Sequence, residues 1–540
     1  MRKSIIYLCA CALSGMMVTT SCQDNLDSDA GVSNTRSVNI DKDLFAIKGC
    51  INVKLAKGTN QSIPSTRSGS VEMQSVPSAM TSAMQYSGAY KMERVFKPAG
   101  IYEARTVAEG LDRWYTIYFD KSKDVGAVLD QFKKAEGVEC AERVLPMARP
   151  TVKMTPYSAP EASMQGTGSN FDDPLLAKQW HYYNNGTINP RAVKGADCNV
   201  KPVWEKYTTG KKNVIVAVVD GGIDITHEDL KDNLYVNEKE KNGQPNVDDD
   251  GNGFVDDIYG YNFVTAKDVV GGTIEPDDGG HGTHVAGTVA ARNNNGKGVA
   301  GIAGGDGSPD SGVRLLSCQI FRNKDEQGDA AAAIKYAADN GAVICQNSWG
   351  YSSTAGVTSM PQLLKEAVDY FIKMAGCDAN GNQRPDSPMK GGVVMFAAGN
   401  ENKEFSAYPA CYAPTVSVAA MAWDFSKASY SNYAKWVTIT APGGDQDRFG
   451  TEAGVLSTVP KKKVASGYAY FQGTSMACPH VSGIAALIAS YFGRQGFTNE
   501  ELKSRLITAY RPYNIDEQNP TYKGKLGKWG FEAKQAPSPQ

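Results

Sequence analysis

The sequence predicts an α/β protein whose larger domain is a parallel sheet with helices on both faces, preceded by a small α+β domain. Three observations carry that expectation. Beyond about residue 172, short and almost wholly apolar runs alternate with helical stretches. The runs cover 214–219, 313–321, 342–345, 392–397, 415–419 and 436–439, and strands apolar on both sides belong to sheets covered on both faces. Residues 41–147 read instead as strand, helix, strand, strand, helix, strand, the order of a split βαβ, ferredoxin-like fold. Residues 148–171, between the two, are polar and rich in Pro and Gly, the composition of a linker open to proteolysis.

In the first domain, 47–55 is the first strand, 76–84 a weak helix, and 90–96 and 113–119 alternate as half-buried strands do. Residues 124–135 place Val125, Val128, Leu129 and Phe132 on one side of a helix, and 138–147 closes the block. In the second domain, 172–540, helices are expected over 282–291, 329–338, 361–374, 475–491 and 499–509. Pro479 would clash with the carbonyl four residues back, so the helix behind Ser475 should begin no earlier than about that residue. Sheets of this class bind ligands beyond the C-terminal ends of their strands, so the residues that follow each strand matter most.

The totals narrow the function. The chain has 540 residues, 41% of them hydrophobic, enough for a large core and more than one domain. A net charge of −2 gives no electrostatic footprint for nucleic acid, which is not expected as a partner. Arg2 and Lys3 precede a short apolar segment that ends at Cys22, so residues 1–21 read as a signal peptide and 22–40 as a polar tether. The segment resembles a bacterial lipoprotein signal. That implies lipidation of Cys22, export to the cell surface or periplasmic face of a Gram-negative-type bacterium, and a membrane partner held through the anchor. An ordinary cleaved signal with an incidental cysteine is the alternative. No later apolar run is expected to span a membrane. Cysteines inside strand-like runs, such as Cys318, are expected to be buried thiols.

The chemistry gathers at the ends of elements. Asp220 follows 214–219, and His281 opens a helix after Gly279 and Gly280. Asn400 follows 392–397, and Ser475 stands at the mouth of the 475–491 helix. The positive end of a helix favours a neutral imidazole at His281, able to accept a proton. His284, one turn on, reads as a packing residue. A serine nucleophile needs a base, the base needs an orienting carboxylate, and the developing oxyanion needs donors. Ser475, His281, Asp220 and Asn400 supply one of each, in a chain order known for subtilisin.

Residues 218–224, 281–287 and 473–481 resemble the three active-site blocks of the subtilisin-like serine peptidases in type, order and spacing. The similarity covers roughly 172–535 and includes the tail. It implies a subtilisin-like sheet and an endopeptidase acting on proteins or peptides, with Ser475 attacking and His281 moving the proton. Asp220 would orient His281, and Asn400 would hold the oxyanion with the Ser475 N–H. Ser348, Trp349 and Gly350 resemble the edge that pairs with an extended substrate. Opposite them the family's small residues are replaced by Arg322 to Gln327. The ferredoxin-like block resembles the family's propeptide, a partner cut off within 148–171 and a template for a slowly folding sheet. An inactive peptidase fold, used as a lipid-anchored binding or scaffold protein, is the rival reading.

One motif points to a metal. Asp248, Asp250 and Asn252 stand at positions one, three and five of an EF-hand-type loop, with the Phe254 carbonyl at seven. Tyr259 occupies position twelve, and Asp256 and Asp257 are expected to replace the missing glutamate. Oxygen ligands on such a turn suit Ca2+. Asp229 with Asn294, on the 292–296 loop, resembles a second calcium site of the family. Asp378 to Asn382 is a third candidate, equally readable as a plain turn.

Overall fold

The computed structural model describes residues 40–41, 45–64, 69–148, 152–158, 171–264, 267–268, 279–322, 326–508 and 514–529. The signal segment, Cys22 and the tether up to residue 39 lie outside them.

The N-terminal domain has the expected order with additions, among them a short antiparallel pairing of Ile40–Asp41 with Ala46–Ile47. Its elements are β1 (Cys50–Leu55), β2 (Ser70–Val71), α1 (Thr81–Ser87), β3 (Lys91–Arg94), α2 (Glu103–Ala108), β4 (Trp114–Tyr118), α3 (Val125–Lys134) and β5 (Val138–Arg143). They form an antiparallel sheet in the order β2-β3-β4-β1-β5, ferredoxin-like apart from the extra edge strand β2. The Asp124 carboxylate accepts the Ala127 N–H at 2.6 Å and caps α3, which buries the foreseen stripe Val125, Val128, Leu129 and Phe132. Neither β2 nor α2 was anticipated.

Residues 153–156 correct the linker expectation. They form strand β6 (Lys153–Pro156), paired antiparallel with a strand more than 300 residues on. That partner is β16 (Tyr468–Gln472), itself hairpinned to β15 (Val455–Thr458). Residues 149–151 and 159–170 of the linker lie outside the described residues.

The main sheet contains β7 (Ile215–Asp220), β8 (Gly260–Asn262), β9 (Lys267–Asp268), β10 (Arg314–Gln319), β11 (Ile344–Asn347), β12 (Val393–Ala397), β13 (Val416–Met421), β14 (Ile439–Pro442) and β17 (Lys528–Trp529). Its order is β9-β8-β10-β7-β11-β12-β13-β14-β17, parallel except for the edge strand β9. The pleat sends Val216 and Val218 into one core and Ala217 and Val219 into the other. The first core is covered by α4 (His281–Ala290) and α7 (Thr474–Phe492), the second by α5 (Ala330–Asp339) and α6 (Gln362–Met374). Helix α8 (Asn499–Thr508) adds Leu502 and Leu506 to the first.

Helix α7 starts at Thr474, one residue before the expected boundary, and contains Pro479. Pro479 has no N–H for the Ser475 carbonyl, and the Ser348 hydroxyl donates to that carbonyl instead, at 2.9 Å. By length and composition α7 is also apolar enough to cross a membrane, contrary to the expectation for the mature chain. Its apolarity serves the core, since 83% of its most apolar window is buried.

The N-terminal domain docks on α5 and α6. Val95, Phe96, Leu111 and Trp114 join the second core. Glu142 accepts the Gln362 and Leu363 N–H groups at 2.7 and 3.1 Å, capping α6, whose own preceding residue is Pro361. Glu366 receives Lys54 and the Trp114 indole N–H, both at 2.7 Å.

Candidate active site

Strand β7 delivers Asp220 at its last position, buried between β10 and β11. Helix α4 delivers His281 at its first. The two meet: His281 Nδ1 lies 2.8 Å from Asp220 Oδ1, which also accepts the Gly221 N–H at 2.7 Å. This close approach needs Gly282, because a Cβ there would sit 2.4 Å from the Gly222 carbonyl oxygen. The other histidines have structural partners. His284 stacks on Phe471 and faces the Val455 and Ala469 carbonyls. His480 meets His181 at 2.8 Å, and His227 meets the Gly467 carbonyl at 2.9 Å.

Ser475 occupies the first turn of α7, and its hydroxyl donates to the Ser348 carbonyl at 3.3 Å. Asn400 follows β12 as expected. Its Oδ1 accepts the Thr474 N–H at 2.9 Å and the Thr474 hydroxyl at 2.8 Å. The amide is thereby fixed through its oxygen, which leaves its NH2 group as a donor. Ser475 and Asn400 line one cavity of about 260 Å³ with Gly350, Gly399, Glu401 and Tyr408. Glu401 was not singled out, although it follows Asn400 directly; it accepts the Asn432 side-chain N–H at 2.5 Å. A hydroxyl at a helix mouth, an imidazole paired with a buried carboxylate and a fixed amide donor form a set suited to acyl transfer.

The chain itself enters this cleft. The Ala148 N–H donates to the Gly350 carbonyl at 2.7 Å as an antiparallel bridge, and Ala148 lines the cavity beside Ser475. On the opposite rim the Gln327 side chain accepts the Met147 N–H at 2.9 Å and donates to the Leu145 carbonyl at 3.1 Å. Residues 323–325 of that rim lie outside the described residues. Beyond the cleft β6 resumes, and Val152 comes within 3.6 Å of the Cβ position of Gly473. Trp349 also lines the cavity, with its ring 2% exposed and packed at a right angle to Phe396.

The subtilase family model matches residues 211–529, more than half of the chain, and contains all four of these residues. The chain belongs to the subtilase family. A second model, the N-terminal region of the family, matches residues 51–186, so this subtilase carries the family's propeptide domain ahead of its sheet. It is 33% identical over 323 residues to the major intracellular serine protease of Bacillus subtilis, covering 58% of this chain and 80% of that one. It is 32% identical over 304 residues to a thermophilic serine proteinase of Bacillus sp. strain AK1, covering 56% of this chain and 57% of that one. The chain thus spans little more than half the length of the latter relative. The crystal structure of fervidolysin from Fervidobacterium pennivorans, a keratinolytic enzyme related to subtilisin, superposes with a TM-score of 0.55. That superposition covers 94% of this chain and 64% of that one at 21% identity, a likeness in fold.

The acidic loop of this subtilase lies between β7 and β8. The structure gathers Asp250 and Asp257, as expected, and adds Glu240, their carboxylate oxygens within 4.8 Å of one another. Burial pushes the Asp257 carboxyl up to about 8, against hydrogen bonds from Tyr336 and Asn252, and raises Asp250 and Glu240 as well. Three acids this close, two buried and Asp250 half-buried, fit a cation, which would take the place of their protons. The other predicted ligands serve the loop itself. Asp248 accepts the Asn252 and Gly253 N–H groups, and Asp256, at φ 52°, turns its carboxylate to the Asn246 N–H. Asn252 points its amide nitrogen at Asp250 and Asp257, while its oxygen accepts the Phe254 N–H. Phe254 packs its ring on Tyr261 and Tyr336.

The second site is rearranged. Asp229 is buried, but Asn295, not Asn294, reaches it, at 2.9 Å. Asn294, at φ 56°, sends its side-chain N–H to the Asp306 carbonyl instead. The Asp378 turn is closed on itself, its carboxylate accepting the Asn380 and Asn382 N–H groups at 2.9 Å.

Proposed function

We propose that this subtilase is a serine endopeptidase made as a proenzyme that cuts itself free of its N-terminal domain. The observation that supports the reading is the buried Asp220–His281 pair, taken together with a cleft lined by Ser475 and Asn400. The Ser475 hydroxyl first turns about χ1 from the Ser348 carbonyl to Nε2 of His281. Its oxygen then attacks the scissile carbonyl carbon while its proton passes to Nε2. Asp220 holds the other ring nitrogen and stabilises the imidazolium. The oxyanion is held by the Asn400 amide and the Ser475 N–H. When the C–N bond breaks, Nε2 returns the proton to the leaving amine and leaves an acyl-enzyme. Water repeats the sequence and restores the serine.

The first substrate in this reading is the chain itself. Ala148 is bonded to Gly350 on one side of Ser475, and β6 is paired on the other, so the cut falls between residues 148 and 152. Substrates bind the same way, as a strand added between Gly350 and Gln327. Calcium would be held by Glu240, Asp250 and Asp257, where it supplies charge neutralisation and stability to the wall after β7. Export and anchoring through a lipidated Cys22 complete the proposal, resting on the N-terminal sequence alone.

A serine-directed fluorophosphonate tests the reading. Wild type should be labelled once matured and diluted free of its N-terminal fragment, and Ser475→Ala should not. Wild-type protein freed of that fragment that takes no label would favour an inactive scaffold.

A further inference from the structure

On the face of the sheet opposite α4 and α7, helix α2 pushes one side chain into the catalytic domain. Arg105 is only 4% exposed. Its Nε donates to the Tyr370 hydroxyl at 2.7 Å, and Nη1 donates to the Cys377 and Asp378 carbonyls at 3.0 and 2.9 Å. Its Nη2 meets Asp339 Oδ1 at 2.6 Å, and the Tyr102 ring covers the guanidinium at 4.1 Å. Every acceptor belongs to α5, α6 or the turn that follows α6. Only a planar fork of donors satisfies this spread of oxygens; a lysine would reach part of it.

The pocket is built to survive emptying. Tyr370 donates to Asp339 Oδ1 at 2.7 Å, and Lys335 meets Asp339 Oδ2 at 2.5 Å. Burial opposes the Asp339 charge, yet Lys335 and Arg105 outweigh it and hold the carboxyl below its usual range. Without Arg105 a compensated Lys335–Asp339 pair remains, not a bare buried carboxylate. The neighbouring Lys373–Glu109 pair is largely exposed at its lysine and adds little.

We propose, on the reading that the N-terminal domain is a propeptide cut within 148–152, that Asp339, Tyr370 and the Cys377 and Asp378 carbonyls form a guanidinium-binding site of the catalytic domain, away from Ser475. Its occupant is Arg105, and this contact sets how tightly the severed propeptide is held. Losing the four hydrogen bonds of the buried guanidinium, with Asp339 still compensated by Lys335, weakens binding by about 10²–10³-fold.

The test uses the full chain carrying Arg105→Ala, Arg105→Lys or Tyr370→Phe. After maturation in calcium, serial dilution, gel filtration and fluorophosphonate labelling report when the fragments part and the site opens. Wild-type fragments should stay together, unlabelled, to concentrations about 10²–10³-fold lower than Arg105→Ala fragments do. Arg105→Lys should recover part of the difference, and Tyr370→Phe should weaken retention while leaving the Lys335–Asp339 pair. Equal retention in wild type and Arg105→Ala overturns the site. Failure of every form to mature defeats the proenzyme reading instead. The site is then read in the uncut Ser475→Ala chain by hydrogen exchange of α6, where faster exchange with Arg105→Ala supports it and unchanged exchange overturns it.

Discussion

Gly282→Ala should slow the enzyme about 100-fold, although alanine is the better helix former. At an ordinary helix position the exchange would gain about 1 kcal/mol. Here the added Cβ would lie 2.4 Å from the Gly222 carbonyl oxygen and 3.2 Å from the Gly221 nitrogen, where ordinary contact begins at 3.4 Å. About 1 Å must therefore open between α4 and the turn after β7. Asp220 sits on one side of that gap and His281 on the other, with 2.8 Å between their hydrogen-bonding atoms. Opening it stretches the bond past about 3.2 Å, beyond useful range. A misplacement of 1 Å costs on the order of 10² in rate, or about 2.7 kcal/mol of transition-state stabilisation. The assay is kcat and KM on a peptide substrate, normalised to sites titrated with fluorophosphonate, with unfolding followed in the Ser475→Ala background. A hundredfold fall in kcat with KM little changed, and a lower unfolding temperature, is the expected outcome. Wild-type turnover with a raised unfolding temperature would refute the steric account.

Asn400→Ala should lower kcat by about 10²–10³ with little effect on KM, a magnitude taken from subtilisin itself; peptide hydrolysis by the matured variant measures it, and undiminished kcat would remove Asn400 from the oxyanion site. Excess chelator should lower the unfolding temperature of the Ser475→Ala chain, and Asp257→Asn should abolish that response; a melt indifferent to chelator counts against calcium. Stability should also fall in acid. His284 and His480 are held neutral by burial, pushed down to about 3 and about 4, and burial lowers His181 too. Because the folded values lie below the unfolded one of about 6.5, only the unfolded chain takes up these protons, so stability is complete above pH 6.5 and is lost below it. By pH 4.5 a single such histidine costs about 2.7 kcal/mol. Denaturant midpoints of the Ser475→Ala chain between pH 7.5 and 4.5 measure the loss, and a flat profile would contradict it.

The main sheet was legible because its strands are buried on both faces, so β7 and β12 stand out as apolar runs. The four site residues were legible because each closes or opens such an element. What escaped depends on distant partners. Strand β6 ends in a proline and reads as linker; only pairing with β16 makes it a strand. Helix α2 is six residues long, and its buried Arg105 is explained by Asp339, 234 positions away. Glu240 precedes the acidic loop and is drawn in by the Asp249, Asp250 and Asp256 N–H groups it accepts. Asn294 was preferred to Asn295 because one left-handed residue decides which side chain faces Asp229, and spacing does not reveal it. The 436–439 run is observed as β14, three residues later, because Val437 still bonds back to the Ala434 carbonyl in a turn.

Self-cleavage is the central claim, and intact mass tests it most directly. Wild type and Ser475→Ala, both lacking the signal segment, are purified and followed over time in calcium with no other protease present. The account predicts that wild type divides between residues 148 and 152 while Ser475→Ala stays whole. Division of both at the same bond, or of neither, would contradict it.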